Sequence, residues 1–314
     1  MSAISKTLKT AAAAAAVTLG AGAIVNECVL NIRFSRKMGE KLGFVDEENE
    51  KLYEQDYPVF CAEWLAKKKP EDSVIEKNGV RYHAYILMND KKSDKWAVIN
   101  HGFTSVPLDM SVYAYEYMKR GFNCILPSMR GHGEDEGKYC SMGYYDKDIV
   151  KAWIEYIVLL NPKAQIVLHG VSMGAATTML TTGESLPENV KAAVSDCGYT
   201  SCYKEFSYAA KEYMHLPAFP LIDAANAVSK MKGNFDFKKA APIDAVMRST
   251  TPTLFIHGDH DDFVPYYMLD EVYSACAAPK KKLVIEGARH AISVIVDPEK
   301  YWDEVEDFIE DYIK

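Results

Sequence analysis

Ser172 stands between two glycines in Gly170-Val171-Ser172-Met173-Gly174, and a serine so placed can act as a nucleophile if the chain supplies a base and an acid. A hydroxyl is weakly nucleophilic alone: it needs a base within hydrogen-bond reach and an acid that orients that base. The chain has 8 histidines as candidate bases. Candidate acids crowd one stretch, Gly258-Asp259-His260-Asp261-Asp262-Phe263-Val264-Pro265, and the last histidine lies in Glu286-Gly287-Ala288-Arg289-His290-Ala291. The chemistry such a set performs is acyl transfer, with the acyl group held on the serine in mid-reaction.

The elements around the serine suit that role. Apolar Gln165–His169 precedes the pentapeptide and small-residue Ala175–Leu180 follows it. Strand, Gly-x-Ser-x-Gly, helix is the pattern of a nucleophile elbow, whose sharp turn lifts the hydroxyl clear of a sheet. The same turn places the Met173 N–H at a helix N-terminus, where it can stabilise an oxyanion. In such a sheet the partners follow later strands, in the order serine, acid, histidine. The strand Thr253–His257 leads into the acid cluster, and the last strand, Lys282–Ile285, leads to His290. His101, His169 and His257 sit at strand ends beside glycines and read as structural groups. His83 and His215 lack companions, and His260 adjoins the acids too closely for triad geometry. Asp196, ending the strand Val190–Ser195, is an alternative acid. The cluster His257, Asp259, His260 and Asp261 matches no metal-ligand spacing, so no metal site is expected.

Around these residues the chain alternates. Ser73–Glu76 and Val80–Leu87, joined at Asn78-Gly79, read as a hairpin. Strands at Lys95–Asn100 and Phe122–Leu126 alternate with helices at Met110–Arg120 and Tyr145–Leu160, and Glu299–Ile313 reads as a terminal helix. The expected fold class is α/β: a mostly parallel sheet with helices on both faces, entered through an antiparallel hairpin. Between Cys197 and Thr251 the alternation breaks into an aromatic-rich insertion, expected at about 199–250 as a small helical cap. The expected organisation is a signal-like or membrane-anchor segment at 1–30, a helical lead-in at 31–72 interrupted near Pro58, and one α/β domain at 73–314.

Composition narrows the class. A formal net charge of −8 with no long basic run argues against a nucleic-acid partner. The 7 cysteines, without a CxxC pair, give neither a complete disulfide framework nor a zinc signature. Lys6 and Lys9 before the uncharged run Thr10–Asn26 suggest export or membrane anchoring, although the run is shorter than the ~20 residues of a comfortable span. A cytoplasmic protein with an alanine-rich helix packed on the domain is the alternative.

From about residue 73 onward the chain resembles the α/β hydrolases, most closely bacterial members of the serine-aminopeptidase-like and lysophospholipase-like branch, with their small esterases. The residues that carry the resemblance are His101-Gly102-Phe103-Thr104-Ser105, Arg130-Gly131-His132-Gly133-Glu134, the Ser172 pentapeptide, the acid loop from His257 to Pro265, and His290. It implies that Asp261, three residues before Val264, is the triad acid; Asp259 and Asp262 read by their own chemistry as turn formers. It also implies that the N–H of Phe103 joins that of Met173 in the oxyanion hole, and it sets His132 in a loop beside the site, where that residue reads as structural or as shaping the pocket rather than as a reacting group. The expected function is a carboxylesterase-like serine hydrolase with Ser172, His290 and Asp261 as triad and no cofactor, acting on a small acyl substrate. Thioesterase, lysophospholipase and small-peptide hydrolase are the alternatives on the same triad. Beyond these stand a perhydrolase or lyase on this fold and a binding protein without turnover.

Overall fold

A strand buried on both faces must be apolar throughout, and β3 (Lys95–Asn100) shows how this chain meets that demand. Ala97 and Ile99 enter one apolar layer, while Trp96 and Val98 enter the other. The computed structural model describes residues 16–27, 30–31, 51–77, 79–135, 137 and 139–314. Residues 1–15 of the signal-like segment, residues 32–50 of the lead-in and Asn78 of the hairpin turn lie outside the described residues.

One sheet runs in the order β1-β2-β4-β3-β5-β6-β7-β8. The hairpin β1 (Glu71–Lys77) and β2 (Val80–Leu87) is antiparallel, and β2 meets β4 (Asn123–Pro127) antiparallel. From there β4, β3, β5 (Gln165–Val171), β6 (Val190–Asp196), β7 (Thr253–Gly258) and β8 (Lys280–Ile285) are parallel. The expected α/β class, a mostly parallel sheet with helices on both faces, is what the chain adopts. One layer holds residues of α1 (Asp56–Lys68), α2 (Ser111–Lys119) and the terminal helix (Pro298–Glu310). The other holds α3 (Asp146–Leu160) and the buried start of α4 (Met173–Thr182).

Several boundaries differ from the sequence reading by a residue or two, and two of the shifts have a plain physical reason. The lead-in helix breaks at Glu54-Gln55, and α1 starts at Asp56, so Pro58 sits in the first turn, where its missing N–H has no intrahelical acceptor to lose. The helix read as starting at Met110 is preceded by a 3₁₀ turn at Pro107–Met110, where Asp109 Oδ2 accepts the Val106 N–H at 2.9 Å.

Between β6 and β7 lie α5 (Cys202–Glu212), α6 (Ala218–Met231) and the short α7 (Pro242–Val246). Ser201 caps α5 by accepting the Lys204 N–H at 3.1 Å. Tyr208 and Tyr213 rest on the loop after β7, their hydroxyls donating to Asp262 O at 2.9 and 2.6 Å. Helical residues 16–27 pack against α6. A Cβ on Gly22 would lie 2.6 Å from the Ala224 carbonyl carbon, so glycine permits this contact. Asn26 is buried there, and Leu30 joins the apolar layer under the sheet while its carbonyl accepts the Cys140 N–H at 2.9 Å. Among the described residues, no helix is long and apolar enough to cross a membrane. The six described cysteines are buried, and none forms a disulfide among them.

Candidate active site

The elbow forms where β5 runs into α4. Ser172 takes φ 55° and ψ −116°, a conformation that costs a non-glycine residue energy and is held only by its surroundings. Those surroundings are tight backbone contacts. A Cβ on Gly174 would lie 2.0 Å from Asn100 O, and one on Gly170 would lie 2.0 Å from Gly174 O, so only glycine fits either place. The Ser172 N–H is tied to Asp196 O at 2.8 Å. Met173 begins α4, so its N–H has no intrahelical acceptor and is free to face an anion.

The loops after β7 and β8 complete a chain of contacts. Ser172 Oγ lies 2.8 Å from His290 Nε2, and His290 Nδ1 lies 2.8 Å from Asp261 Oδ2. Asp261 is fixed from behind: its Oδ1 accepts the N–H groups of Phe263 at 3.0 Å and Val264 at 2.9 Å. His257 Nε2 donates to Val264 O at 2.9 Å and approaches Asp261 Oδ2 at 3.1 Å. Burial works to raise the Asp261 pKa, but the charge of His290 and the hydrogen bonds from His257 and His290 outweigh it and hold the carboxyl below its ordinary value. For His257 burial works downward, and the hydrogen bond and charge of Asp261 reverse it, leaving a raised pKa. The Asp261 side chain is 0% exposed and that of His290 16%, so the acid is shielded while the base reaches the surface.

The alternative acid, Asp196, faces elsewhere. Its Oδ2 accepts the Tyr301 hydroxyl at 3.0 Å, and burial pushes its carboxyl up to about 7. Tyr301 in turn lies 3.0 Å from His169 Nε2, and His169 Nδ1 lies 3.0 Å from the Tyr117 hydroxyl. Burial lowers the His169 pKa to about 3, so the ring is neutral in this network. The expectation for Asp259 changes. It reaches across to the next loop, accepting the Gly287 N–H at 2.6 Å, whereas the local turn over Phe263 and Val264 is closed by Asp261. Asp262 Oδ2 pairs with Arg289 at 3.2 Å.

Two neutral histidines staple the loop after β3. His101 Nδ1 donates to Gly102 O at 2.8 Å, and its Nε2 accepts the Met129 N–H at 3.1 Å. His132 Nδ1 donates to Arg130 O at 3.0 Å, and its Nε2 accepts the Thr104 N–H at 3.2 Å. Burial lowers their pKa values to about 3 and about 4, which keeps Nε2 an acceptor in both rings. The turn carrying Phe103 is thereby tied to the loop after β4. A Cβ on Gly102 would lie 3.6 Å from Ser172 Cβ, so this turn passes directly beside Ser172.

His257, expected to be structural, holds Val264 O and lies beside Asp261. Sequence reasoning missed two supports. Tyr53, in the lead-in where no function was visible, donates its hydroxyl to Ala291 O at 2.7 Å, next to His290. Tyr301, on the terminal helix, holds Asp196. Nothing local in the sequence marks either tyrosine.

The strand order, the elbow after β5, and the acid and histidine loops after β7 and β8 define an α/β hydrolase fold. Residues 96–235 match the family model for the alpha/beta hydrolase fold. The chain is similar to the uncharacterized protein YqkD of Bacillus subtilis, 27% identical over 214 residues, which cover 68% of this chain and 70% of that protein. An uncharacterized membrane protein of Saccharomyces cerevisiae is 22% identical over 273 residues, covering 82% and 90%. Among solved structures, an esterase of Pyrococcus furiosus superposes with a TM-score of 0.63 at 20% identity, covering 80% of this chain and 94% of that one. That last likeness is one of fold.

Proposed function

We propose that this chain is a serine hydrolase that cleaves carboxylic esters through an acyl-enzyme on Ser172. The observation that carries the reading is the unbroken line from Ser172 Oγ through His290 to Asp261, with 2.8 Å at both links. His290 takes the hydroxyl proton as Ser172 attacks the acyl carbonyl. Asp261 keeps the Nδ1–H tautomer and stabilises the imidazolium that forms. The N–H groups of Met173 and Phe103 receive the developing oxyanion. His290 then returns its proton to the leaving alcohol, and water repeats the cycle to release the acid. Esters are favoured because an alkoxide leaves more readily than an amide nitrogen, and the Pyrococcus furiosus relative of this fold is an esterase. The helices between β6 and β7 act as a cap over this site, since Tyr208 and Tyr213 brace the acid loop. The serine-aminopeptidase-like and lysophospholipase-like branch is the one whose motifs the chain carries. Helical residues 16–27 belong to the folded enzyme in this reading, a role that the buried Asn26 and Leu30 support over that of a removed leader.

The test treats the purified protein and its Ser172→Ala variant with a fluorophosphonate probe and a p-nitrophenyl ester series of increasing acyl length. Labelling and turnover are expected in the wild type, with the rate falling by about 10⁶ in the variant. Folded wild-type protein that takes no label would overturn the hydrolase reading. Labelling without ester turnover would move the substrate class to thioesters, monoacyl lipids or peptides.

A further inference from the structure

Behind the triad lies a thiol that the acyl-transfer reading does not use. Cys197 follows β6, and its Sγ, a carboxylate oxygen of Asp261 and a ring nitrogen of His290 all lie within 4.8 Å of one another. The thiol is held there firmly. Its backbone takes a left-handed φ of 49°, and its N–H is bonded to Ile256 O at 2.9 Å. The residue is 0% exposed. Burial, with the charges of Asp196 and Asp261, raises the pKa of the metal-free thiol well above its ordinary value, and the backbone N–H groups of Ser172 and Ala291 offset this only in part.

We propose that Cys197, Asp261 and His290 form a binding site for a borderline-soft divalent cation such as zinc, and that its occupancy switches the triad off. Sulfur, carboxylate and imidazole are the donor types zinc selects, and three protein ligands leave a fourth position for water. Ligand atoms about 2.0 Å from a tetrahedral ion stand about 3.3 Å apart. The Asp261–His290 contact of 2.8 Å therefore opens by only about half an ångström. Charge also balances. The ion brings +2, the thiolate and carboxylate bring −1 each, and the buried complex is neutral, which avoids the desolvation cost of an isolated charge. The thiol proton leaves to solvent.

Inactivation follows from the tautomer. In the free enzyme His290 carries its proton on Nδ1 and offers Nε2 to Ser172. A metal on Nδ1 takes that lone pair, so the neutral ring carries its proton on Nε2 instead. Nε2 then points a donor at the serine, and no base remains. Cation binding stands on the three side chains alone, whereas its inhibitory effect rests on the hydrolase reading above.

The experiment titrates metal-free wild-type protein, Cys197→Ala and Cys197→Ser with Co²⁺, following the thiolate-to-cobalt charge-transfer band, with circular dichroism to verify folding. One Cys197-dependent equivalent is expected in the wild type and none in either variant. Zn²⁺ is then added before fluorophosphonate, each protein compared with its own metal-free labelling. The concentration that halves labelling should be at least about tenfold lower in the wild type than in the variants, since losing a ligand costs more than losing an outer-shell partner. A cobalt band absent from the wild type, or equal in all three proteins, would overturn the site. A Cys197-dependent band with labelling untouched by zinc would overturn the inhibition. Wild-type protein that takes no label without metal would defeat the hydrolase reading, while the cobalt titration still decides the site.

Discussion

Replacing Asp261 by asparagine tests the charge and the tautomer of the site with almost no change in shape. Asp261 Oδ1 accepts two backbone N–H groups, from Phe263 and Val264, and the asparagine carbonyl can keep both. Its NH₂ then occupies the Oδ2 position, 2.8 Å from His290 Nδ1 and 3.1 Å from His257 Nε2. Donor would meet donor at His290, so the ring must turn Nδ1 into an acceptor and carry its proton on Nε2, facing Ser172. The electrostatic loss has a comparable consequence. A full charge pair at that distance is worth about 6 kcal/mol at an effective dielectric constant of ~20. If the imidazolium forms only in the transition state, the whole amount appears in the barrier, about four powers of ten in rate. The assay is kcat/KM on whichever p-nitrophenyl ester the wild type turns over best, with a thermal melt of both proteins. A fall of less than about tenfold in a folded variant would refute the argument, because neither the tautomer nor the charge would then matter.

Other perturbations have equally definite outcomes. Gly174→Ala sets a methyl 2.0 Å from Asn100 O, backbone against backbone, and should cost at least about 3 kcal/mol in a denaturant melt; a cost below about 1 kcal/mol would mean the elbow is far softer than drawn. Asp196 has a folded pKa of about 7 against an ordinary 3.8, so its carboxyl stabilises the fold fully only below the ordinary value. That contribution, up to about 4 kcal/mol, is lost as pH rises through about 7. Asp196→Asn should therefore raise the melting temperature at pH 8 and hardly at all at pH 4; equal shifts at both would contradict a buried, titrating carboxyl. Tyr53→Phe removes the hydroxyl that holds Ala291 O and should lower kcat severalfold with KM nearly unchanged, at a stability cost of about 1 kcal/mol or less. An unaltered kcat would show that the His290 loop needs no such support.

Much of the architecture is legible locally because both faces of a parallel sheet are buried. Runs such as Trp-Ala-Val-Ile and Ile-Val-Leu-His need no partner to be recognised as strands, and the helices between them enforce parallel pairing. The elbow around Ser172 is equally local, since Gly170 and Gly174 let backbone approach backbone where any side chain would clash. His290 is marked by its place after the last strand. The acid is different: Asp259, Asp261 and Asp262 are indistinguishable by composition, and only the resemblance to α/β hydrolases singled out one of them. In the fold the choice is physical, because the Phe263 and Val264 N–H groups turn Oδ2 of Asp261 toward His290, while Asp259 reaches Gly287 and Asp262 meets Arg289.

By itself, then, the sequence determined which segments are strands, where the elbow serine sits and the order in which the acid and histidine loops follow. Only the tertiary structure decided which carboxylate holds His290, that His257 and Tyr53 brace it, that Cys197 lies behind it, and that Gly22, Asn26 and Leu30 are packed into the domain. Each of those contacts joins residues by direction as well as proximity. Hydrophobic period and turn chemistry act over a few neighbouring residues, whereas the aim of a buried side chain is set by the elements packed around it from distant parts of the chain.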